Sequence, residues 1–355
     1  MEDFYAQRDD KNLAKINELC NELPMYVREY IVGIHTRTTT LTRLNYVYDL
    51  RIFFDYLSKK VFRMLKPQEI TLADLETLKA ADIEMYLYYL SSYEFQGKKY
   101  RCHDRAKERK LCSLRSFFKY FFNRDKLSSN ICAKVELPKR HEHAITCLDR
   151  HEVEKLLNRV DSDRLSNAST HENAYHEITK IRDLAILTLF LGTGIRISEL
   201  VGLNIDDFNF EENSFRVVRK GGSESILYFT EEIAIALKNY CAWQQDQIDA
   251  ETSFGKKIEN QNAMFYSIQG NRISVRAVEN LVKKHAKNIT EKRITPHKLR
   301  STFGTELYKN TQDIYVVATV LGHKDINTTR RHYAATSEDI KRKAARTVKL
   351  RDDEE

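Results

Sequence analysis

Two arginines in the second half of the chain stand where they could bind a phosphate. Arg196 follows Gly192-Thr193-Gly194, and a tight connection there can leave the start of the next helix facing a ligand. Arg300 stands three residues after His297, so both side chains project from one face of a helix. A phosphodiester under attack gathers negative charge on two non-bridging oxygens, and a guanidinium fork matches that planar pair better than an ammonium group does. We therefore predict that Arg196 and Arg300 bind such a phosphate.

A tyrosine near the end of the chain is the candidate attacking group. Where no metal ionises water, the attacker has to be a side-chain oxygen, and a tyrosine hydroxyl gives up its proton more readily than a serine hydroxyl. Tyr333 stands ten residues after His323, the last residue of Leu321-Gly322-His323. Chemistry of this kind needs neither a metal nor another cofactor, and none is expected.

The oxygen that leaves a cut strand needs a proton, and Lys220 is placed to supply it as a general acid. It lies in Arg219-Lys220-Gly221-Gly222-Ser223, between strand-like runs at residues 214–218 and 225–229. That pattern predicts a hairpin with the lysine at its tip. His297 and His323 could hydrogen-bond the phosphate oxygens or handle the proton of the tyrosine.

Five motif elements in this order resemble the tyrosine recombinases, the integrase and Xer-like family of site-specific DNA strand exchangers. Arg196 matches the first catalytic arginine, Glu199 the acidic residue after it, Lys220 the hairpin lysine, His297 and Arg300 the His-x-x-Arg pair, His323 the histidine of the Leu-Gly-His segment and Tyr333 the nucleophile. The resemblance implies a 3′-phosphotyrosyl intermediate and a free 5′ hydroxyl. It also implies strand exchange through a four-way junction without metal or nucleotide triphosphate.

The resemblance carries a fold and partners with it. It implies a mainly α protein with a small antiparallel β-sheet, built as a two-domain C-shaped clamp. A helical, SAM-like core-binding domain would span residues 1–137, a linker 138–147 and a mixed α/β catalytic domain 148–355. The implied partner is double-stranded DNA with inverted half-sites, in bacterial chromosome or mobile-element recombination. The protein would assemble on it as a homotetramer through its C-terminal helix.

Taken singly, each of these residues also has an ordinary structural interpretation, such as a solvated helix start, a turn lysine or a packing aromatic. Two other functions also stay open. A type IB topoisomerase uses similar arginine, lysine, histidine and tyrosine chemistry but relaxes supercoils as a monomer without sequence preference. An architectural or regulatory DNA-binding protein needs only a basic surface. The co-occurrence of Lys220 and Tyr333 argues against the latter, because a binder uses neither.

Composition bounds the class of protein. At 355 residues the chain is long enough for two domains, and 42% hydrophobic residues can supply their cores. No apolar run reaches the roughly 20 residues that a membrane helix needs, and residues 1–10 are acidic and polar rather than signal-like. We expect a cytoplasmic, nucleoid-associated protein without a membrane partner. Six cysteines without regular spacing are expected to be reduced thiols.

The excess of positive charge lies in the first part of the chain. Residues 1–140 hold 26 lysines and arginines against 19 carboxylates, whereas residues 141–355 hold 32 of each. A second basic run, residues 271–300, precedes and includes the predicted catalytic pair. Basic surfaces of this kind attract a polyanion, although a solvated helix face accounts for any single cluster equally well. The predicted DNA-binding residues are Arg101, Arg105, Arg109, Lys119, Lys139, Arg140, Arg272, Arg276 and Lys298.

Hydrophobic spacing predicts a helical first part. Leu50, Phe53, Phe54 and Leu57 recur at helical intervals after a threonine run that could cap a start near Leu41. Further helices are predicted at residues 81–91 and 105–122, the latter with Leu111, Leu114, Phe118 and Phe121 on one side. Only about 35 residues precede the first recombinase-like helix, so a simple two-domain enzyme without an arm-binding domain is expected. Residues 12–33 could form one extra helix with a lesser DNA or partner contact.

The second part mixes strands and helices. Proline and charge interrupt the pattern near residues 135–147, and Asp149 with Glu152 is typical of a capping box that opens a helix. A short sheet is predicted over residues 208–229, followed by helices at 231–249 and 275–287. Residues 337–350 are predicted to form the terminal helix, which docks either on a neighbouring protomer or back on its own domain.

Two possible metal sites are weak. Cys132, His141, His143 and Cys147 fall within 16 residues, but their spacing matches no common zinc finger. Asp206-Asp207 lacks a third carboxylate at useful spacing, so a turn between a helix and a strand is the better interpretation. No metal ligand is therefore assigned.

Overall fold

A computed structural model describes residues 4–136, 146–162, 169–219, 222–259, 261–287, 289–323 and 325–333. The chain divides into two compact units, residues 1–142 and 143–355. Helices dominate both units, and the described strands form small antiparallel sheets, as the sequence predicts. No helix within the described ranges is both long and apolar enough to span a bilayer.

The first unit is a helical bundle with one short hairpin. Its helices are α1 (Phe4–Cys20), α2 (Met25–Gly33), α3 (Thr40–Tyr56), α4 (Leu72–Thr77), α5 (Ala80–Tyr89) and α6 (Asp104–Phe122), and its strands are β1 (Tyr93–Phe95) and β2 (Lys98–Tyr100). The predicted threonine cap is present, because the side chain of Thr39 accepts a hydrogen bond from the backbone N–H of Thr42. The helices predicted at 81–91 and 105–122 are α5 and α6, displaced by one or two residues.

Residues 12–33 form parts of two helices rather than one. Helix α1 ends at Cys20, and α2 begins at Met25 after Pro24. Proline fixes its own φ and disfavours a helical conformation in the residue before it, so a helix ends more easily than it passes through this point.

The predicted apolar stripes form the core of the first unit. Leu50, Phe53, Phe54 and Leu57 are all fully buried. Helix α6 contributes a second stripe to the same cluster, with Leu111, Leu114, Phe118 and Phe121 exposed by no more than 1%. Helical spacing therefore identifies both faces correctly.

A buried carboxylate ties α3 to α6. Asp49, 1% exposed, accepts hydrogen bonds from both terminal nitrogens of Arg109, from Nζ of Lys110 at 2.8 Å and from Oγ of Ser113 at 2.7 Å. Lys110 is itself buried, so neither charge is solvated by water. The pair is tolerated because several donors surround one carboxylate.

The second unit surrounds a three-stranded sheet with helices. Its helices are α7 (Arg150–Asp161), α8 (Thr170–Thr193), α9 (Ile197–Leu200), α10 (Glu231–Asp249), α11 (Gly255–Ile258), α12 (Val275–Ala286), α13 (Pro296–Thr311), α14 (Ile314–Leu321) and α15 (Ile326–Tyr333). Its strands are β3 (Phe208–Asn209), β4 (Ser214–Val218) and β5 (Glu224–Tyr228), antiparallel in the order β3-β4-β5. The predicted sheet, hairpin and helices at 231–249 and 275–287 are confirmed.

The local signals in this unit behave as expected. Asp149 and Glu152 form the predicted capping box, each side chain bonding the backbone N–H of the other. Asp207 accepts a hydrogen bond from the backbone N–H of Asn204 in a turn, and Asp206 accepts one from the side chain of Asn262. Most of the linker, and the predicted terminal helix at 337–350, lie outside the described residues.

A second buried carboxylate lies at the centre of this unit. Asp183 accepts hydrogen bonds from Arg182, Thr179 and Nε2 of His285, the last at 2.9 Å. Burial alone would raise the pKa of Asp183, but the bond from His285 and the charge of Arg182 outweigh it and the pKa is lowered. His176, also fully buried, lies beside His285 with 5.7 Å between the ring centroids.

Replacing Asp49 tests the buried pair in the first unit. The Asp49→Ala change leaves Lys110 buried without its carboxylate, so we expect the free energy of unfolding to fall by about 3–5 kcal/mol. Urea denaturation followed by far-UV circular dichroism measures the decrease, and hydrogen exchange of α3 and α6 amides localises it. Asp55→Ala is the control, because its ion pair with Lys59 is on the surface. Equal effects of the two changes would contradict the prediction.

The two buried histidines make stability depend on pH. Burial lowers the pKa of both His176 and His285 below the ordinary 6.5. The unfolded chain therefore binds more protons below pH 6.5, and stability is lost as the pH falls through that value towards the folded pKa values. The slope is at most about 1.4 kcal/mol per pH unit for each histidine.

Thermal unfolding between pH 7.5 and 5.5 measures this slope. We expect the His285→Gln variant to unfold at a temperature that depends less on pH than that of the wild type. The same change at exposed His151 serves as the control and should leave the slope intact. An unaltered slope in His285→Gln would refute the assignment.

Candidate active site

The C-terminal turn of α14 brings three arginines together. The last carbonyl groups of a helix have no partner within it and need donors from elsewhere. Arg219 donates to the carbonyl oxygens of Val320 and Leu321, at 3.0 and 3.1 Å. Arg300 also donates to Leu321, and Arg196 donates to Gly322 at 2.8 Å. Three guanidinium groups distant in sequence therefore bind consecutive carbonyls.

Gly322 lets the chain turn at this point. It ends α14 in the left-handed region at φ +61°, where glycine has no steric penalty. A Cβ on Gly322 would lie only 2.8 Å from the guanidinium carbon of Arg219. The glycine of the Leu-Gly-His segment is therefore required both by the backbone conformation and by the close approach of an arginine.

Arg196 is held by the residue three positions later. It precedes α9, and its backbone N–H donates to Oε2 of Glu199 at 3.0 Å. Its guanidinium NH1 donates to Oε1 of the same carboxylate at 2.8 Å. Glu199 is buried, whereas 30% of the Arg196 side chain is exposed. These two hydrogen bonds support the predicted role of Glu199, because they orient Arg196 while part of its side chain stays exposed to solvent.

Arg300 is the buried member of the pair. It lies on α13, is 3% exposed, and its NH1 donates to the carbonyl of Gly194 at the end of α8. Burial and then the nearby charge of Arg196 lower the pKa of Arg300 to about 10. The guanidinium stays protonated at neutral pH, and an anion bound nearby would stabilise its charge.

Tyr333 lies against the helix that carries Arg300. Its ring packs with Val317 and Leu321, and the residue is 8% exposed. A Cβ at Gly304 would lie 2.6–2.9 Å from the ring and hydroxyl, so only glycine allows this approach. Burial raises the pKa of the Tyr333 hydroxyl, while the charge of Arg300 and a hydrogen bond with Ser301 act in the opposite direction. The hydroxyl is therefore a neutral phenol at physiological pH.

The two predicted histidines differ in their surroundings. Nδ1 of His323 hydrogen-bonds Oγ1 of Thr329 at 2.8 Å, and its ring stacks near that of Tyr333 with 6.3 Å between centroids. His297 lies at the start of α13, one turn before Arg300, and is exposed. Lys220 lies outside the described residues. The strands that flank it in sequence, β4 and β5, pair as predicted.

Arg219 is the site residue that sequence reasoning missed. The turn motif presents it only as a neighbour of Lys220, yet it is 8% exposed and joins the arginine cluster. A signal was available in the two-residue period of the strand. Phe215 and Val217 are both 1% exposed, and Arg219 continues the same inward-facing series.

The predicted DNA-binding residues of the first unit fall into two groups. Arg101, Arg105 and Lys119 are exposed, and Arg105 and Lys119 belong to α6. Arg109 is half exposed but binds Asp49 through both terminal nitrogens, so it also stabilises the fold. Lys139 and Arg140 lie outside the described residues.

The predicted DNA-binding residues of the second unit also differ in how far the fold engages their side chains. The guanidinium of Arg272 donates to the carbonyls of Val201 and Leu203 and to the side chain of Asn204. These hydrogen bonds stabilise the loop that contains the three acceptors. Arg276 is exposed on α12, with an ion pair to Glu279 at 3.5 Å, and Lys298 is partly exposed. Among the residues that the structure describes, no three His, Cys, Asp or Glu side chains cluster as a metal site would require.

The arrangement favours anion binding beside a phenol. Arg196 and Arg219 share the carboxylate of Glu199, at 2.8 Å and 3.7 Å, and Arg300 belongs to the same cluster. The cluster therefore carries more positive than negative charge, and part of the Arg196 side chain is exposed to solvent. Tyr333 lies beside this cluster, because its ring contacts the helix that carries Arg300.

Comparison with known proteins places the chain in a family. The model of the phage integrase family matches residues 147–339. The tyrosine recombinase XerC of Caldanaerobacter subterraneus subsp. tengcongensis is 33% identical over 294 residues, covering 80% of this chain and 75% of the relative. XerC of Leptospira interrogans is 27% identical over 96% of both chains. The tyrosine recombinase XerS of Streptococcus agalactiae is 30% identical over 89% of this chain and 93% of its own.

Solved structures agree at the level of the fold. XerH site-specific recombinase bound to a palindromic difH substrate superposes with a TM-score of 0.65 at 18% identity, over 94% of this chain and 88% of XerH. A lambda integrase fragment bound to a core site gives 0.58 at 15% identity, over 88% and 94%. The family model and the sequence relatives lead to one conclusion: the chain belongs to the phage integrase family of tyrosine recombinases.

Proposed function

We propose that this protein cuts and rejoins DNA at specific sites through a covalent bond to Tyr333. The observation that carries the proposal is the convergence of Arg196 and Arg300 on the turn between α14 and His323, with Tyr333 packed against the same helix as Arg300. The kinship with XerC and XerS supports strand exchange over plain relaxation of supercoils. A purely architectural role leaves this buried arginine cluster without a purpose.

The first step is attack of the Tyr333 oxygen on the scissile phosphorus. The phenol loses its proton as the new O–P bond forms, the bond to the 5′ oxygen breaks, and the strand is left as a 3′-phosphotyrosyl ester. Arg196 and Arg300 stabilise the charge that accumulates on the non-bridging oxygens. The reverse attack by a 5′ hydroxyl restores the phosphodiester and releases the tyrosine.

Proton transfer accompanies both directions. Lys220 donates a proton to the leaving 5′ oxygen, and His297 and His323 hydrogen-bond the phosphate or receive the phenol proton. Since the ester conserves the energy of the broken bond, neither metal nor nucleotide triphosphate is required. Exchange of ends between two duplexes before rejoining would then pass through a four-way junction.

DNA binding is proposed to involve both units. The first, with residues 1–137, is the core-binding domain, and the second, from residue 148, is the catalytic domain. The exposed cations Arg101, Arg105 and Lys119 would contact phosphates, since they are the predicted contacts of that unit least committed to the fold. The substrate would be a duplex with inverted half-sites, bound by four copies joined through the C-terminal helix.

The Tyr333→Phe change tests the nucleophile. The phenyl ring can still pack against Gly304, so we expect binding to a selected DNA site to persist while covalent adduct falls below detection. A nicked duplex that traps the adduct, resolved on a denaturing gel, measures adduct formation, and a band shift measures binding. Tyr308→Phe is the matched control, because Tyr308 packs against the same hydrophobic cluster. Adduct formation by Tyr333→Phe would assign the nucleophile elsewhere.

Replacing Arg101 and Arg105 with alanine tests the first unit. We expect weaker binding and a shallower dependence of the binding constant on salt, by about one unit of log–log slope for each phosphate that the variant no longer neutralises. Band shifts over a series of salt concentrations measure the slope. Lys59→Ala is the control, since that exposed lysine is paired with Asp55. An unchanged slope in the double variant would remove these residues from the interface.

A further inference from the structure

Arg219 occupies an unusual position for a strand residue. Its side chain is 8% exposed and reaches from the end of β4 to the C-terminal turn of α14, where it donates to Val320 and Leu321. Its backbone closes the hairpin as well, because its N–H donates to the carbonyl of Ser223 at 2.7 Å. Arg219 therefore joins the hairpin to the turn that Arg196 and Arg300 bind.

Arg219 also competes for the carboxylate that holds Arg196. Its NH1 lies 3.7 Å from Oε1 of Glu199, the same oxygen that Arg196 binds at 2.8 Å. One negative charge is thus divided between two guanidinium groups. Without Arg219, the carboxylate would neutralise Arg196 alone, and Arg196 would have less charge to offer a phosphate.

Burial of this arginine is costly by itself. Its ion pair with Glu199 is long, while burial and the neighbouring charge of Arg196 both oppose the charged form and lower the pKa of Arg219. Groups held at such a cost often belong to functional sites. The contrast with Asp49 and Asp183 is informative, because each of those buried carboxylates is surrounded by its own donors.

Resting on the proposed function, we infer that Arg219 is a positioning residue for phosphate activation. It fixes the carbonyls that receive Arg196 and Arg300, and it draws part of the charge of Glu199 away from Arg196. It acts on the scissile phosphate through these two arginines and does not itself contact DNA. The expected consequence is a defect in cleavage that depends on the negative charge of the phosphate.

A substrate with a neutral scissile group separates this role from a structural one. In a methylphosphonate, a methyl group replaces one non-bridging oxygen and removes the negative charge. Loss of a residue that helps the guanidinium groups to bind that charge matters less on such DNA. A folding defect, in contrast, lowers the cleavage rate equally on normal and on methylphosphonate DNA. The probes are two nicked duplexes with a site selected by the wild-type protein, one with a normal phosphodiester and one with a methylphosphonate at the mapped cleavage position.

For Arg219→Met we expect the rate of adduct formation on the phosphodiester to fall by roughly tenfold or more. On methylphosphonate DNA the decrease relative to wild type should shrink to about threefold or less, with band-shift affinity unchanged. Arg219→Lys should be less impaired on the phosphodiester, since it keeps the charge without the two-pronged contact. Arg216→Met is the matched control on the same strand, with exposed ion pairs to Asp207 and Glu224, and should resemble wild type on both substrates.

Equal decreases on the two substrates, or no decrease on the phosphodiester, would overturn the inference. Should Arg219→Met unfold, as a thermal melt would reveal, Arg219→Lys is judged by the same ratio of rates. Absence of any adduct with the wild-type protein would instead refute the proposed function on which this inference rests.

Discussion

The unsatisfied carbonyls at the end of α14 are the constraint around which the site is built. A helix end buried without donors is unfavourable, and here the donors are the guanidinium groups of Arg196, Arg219 and Arg300. Each arginine comes from a different element, so one turn fixes the relative positions of β4, α9 and α13. The same turn leads into His323, which places the histidine beside the cluster. Stability of the helix end and assembly of the site therefore depend on the same set of hydrogen bonds.

Charge balance distinguishes this cluster from the buried charges elsewhere in the chain. Asp49 and Asp183 are single carboxylates, each surrounded by cations and neutral donors that satisfy them. In the arginine cluster the cations outnumber the carboxylate, and Glu199 is shared by two guanidinium groups. Burial and then the excess positive charge lower the pKa of Arg300, and the repulsion between the guanidinium groups destabilises the cluster. In the proposed mechanism a phosphate relieves that repulsion, so part of its binding free energy would come from the arrangement of the protein before binding.

Local patterns predicted the elements well because those signals are themselves local. The stripe at Leu50 and Phe53, the capping box at Asp149 and the hairpin around β4 all depend on residues close in sequence. Such patterns do not identify hydrogen-bond partners that are distant in sequence. Charge counting indicated Arg109 and Arg272 as DNA contacts, whereas the structure also gives them internal acceptors. The chemistry of the residues and the family resemblance both indicated Arg196, Arg300 and Tyr333. Arg219 was missed because it belongs both to a turn motif and to the inward-facing series of the strand, and only the second feature indicates that it is buried.

The environment of Tyr333 shows how reactivity can depend on the substrate. Its ring is fixed by Gly304 and the apolar cluster, while burial raises the pKa of its hydroxyl. The opposing influence is the charge of Arg300. In the proposed reaction the phenol stays protonated until bond formation to phosphorus draws electron density from its oxygen. A nucleophile held neutral in this way does not attack indiscriminately. In the proposed mechanism its activation requires the phosphate at the arginines, which would couple cleavage to correct binding of DNA.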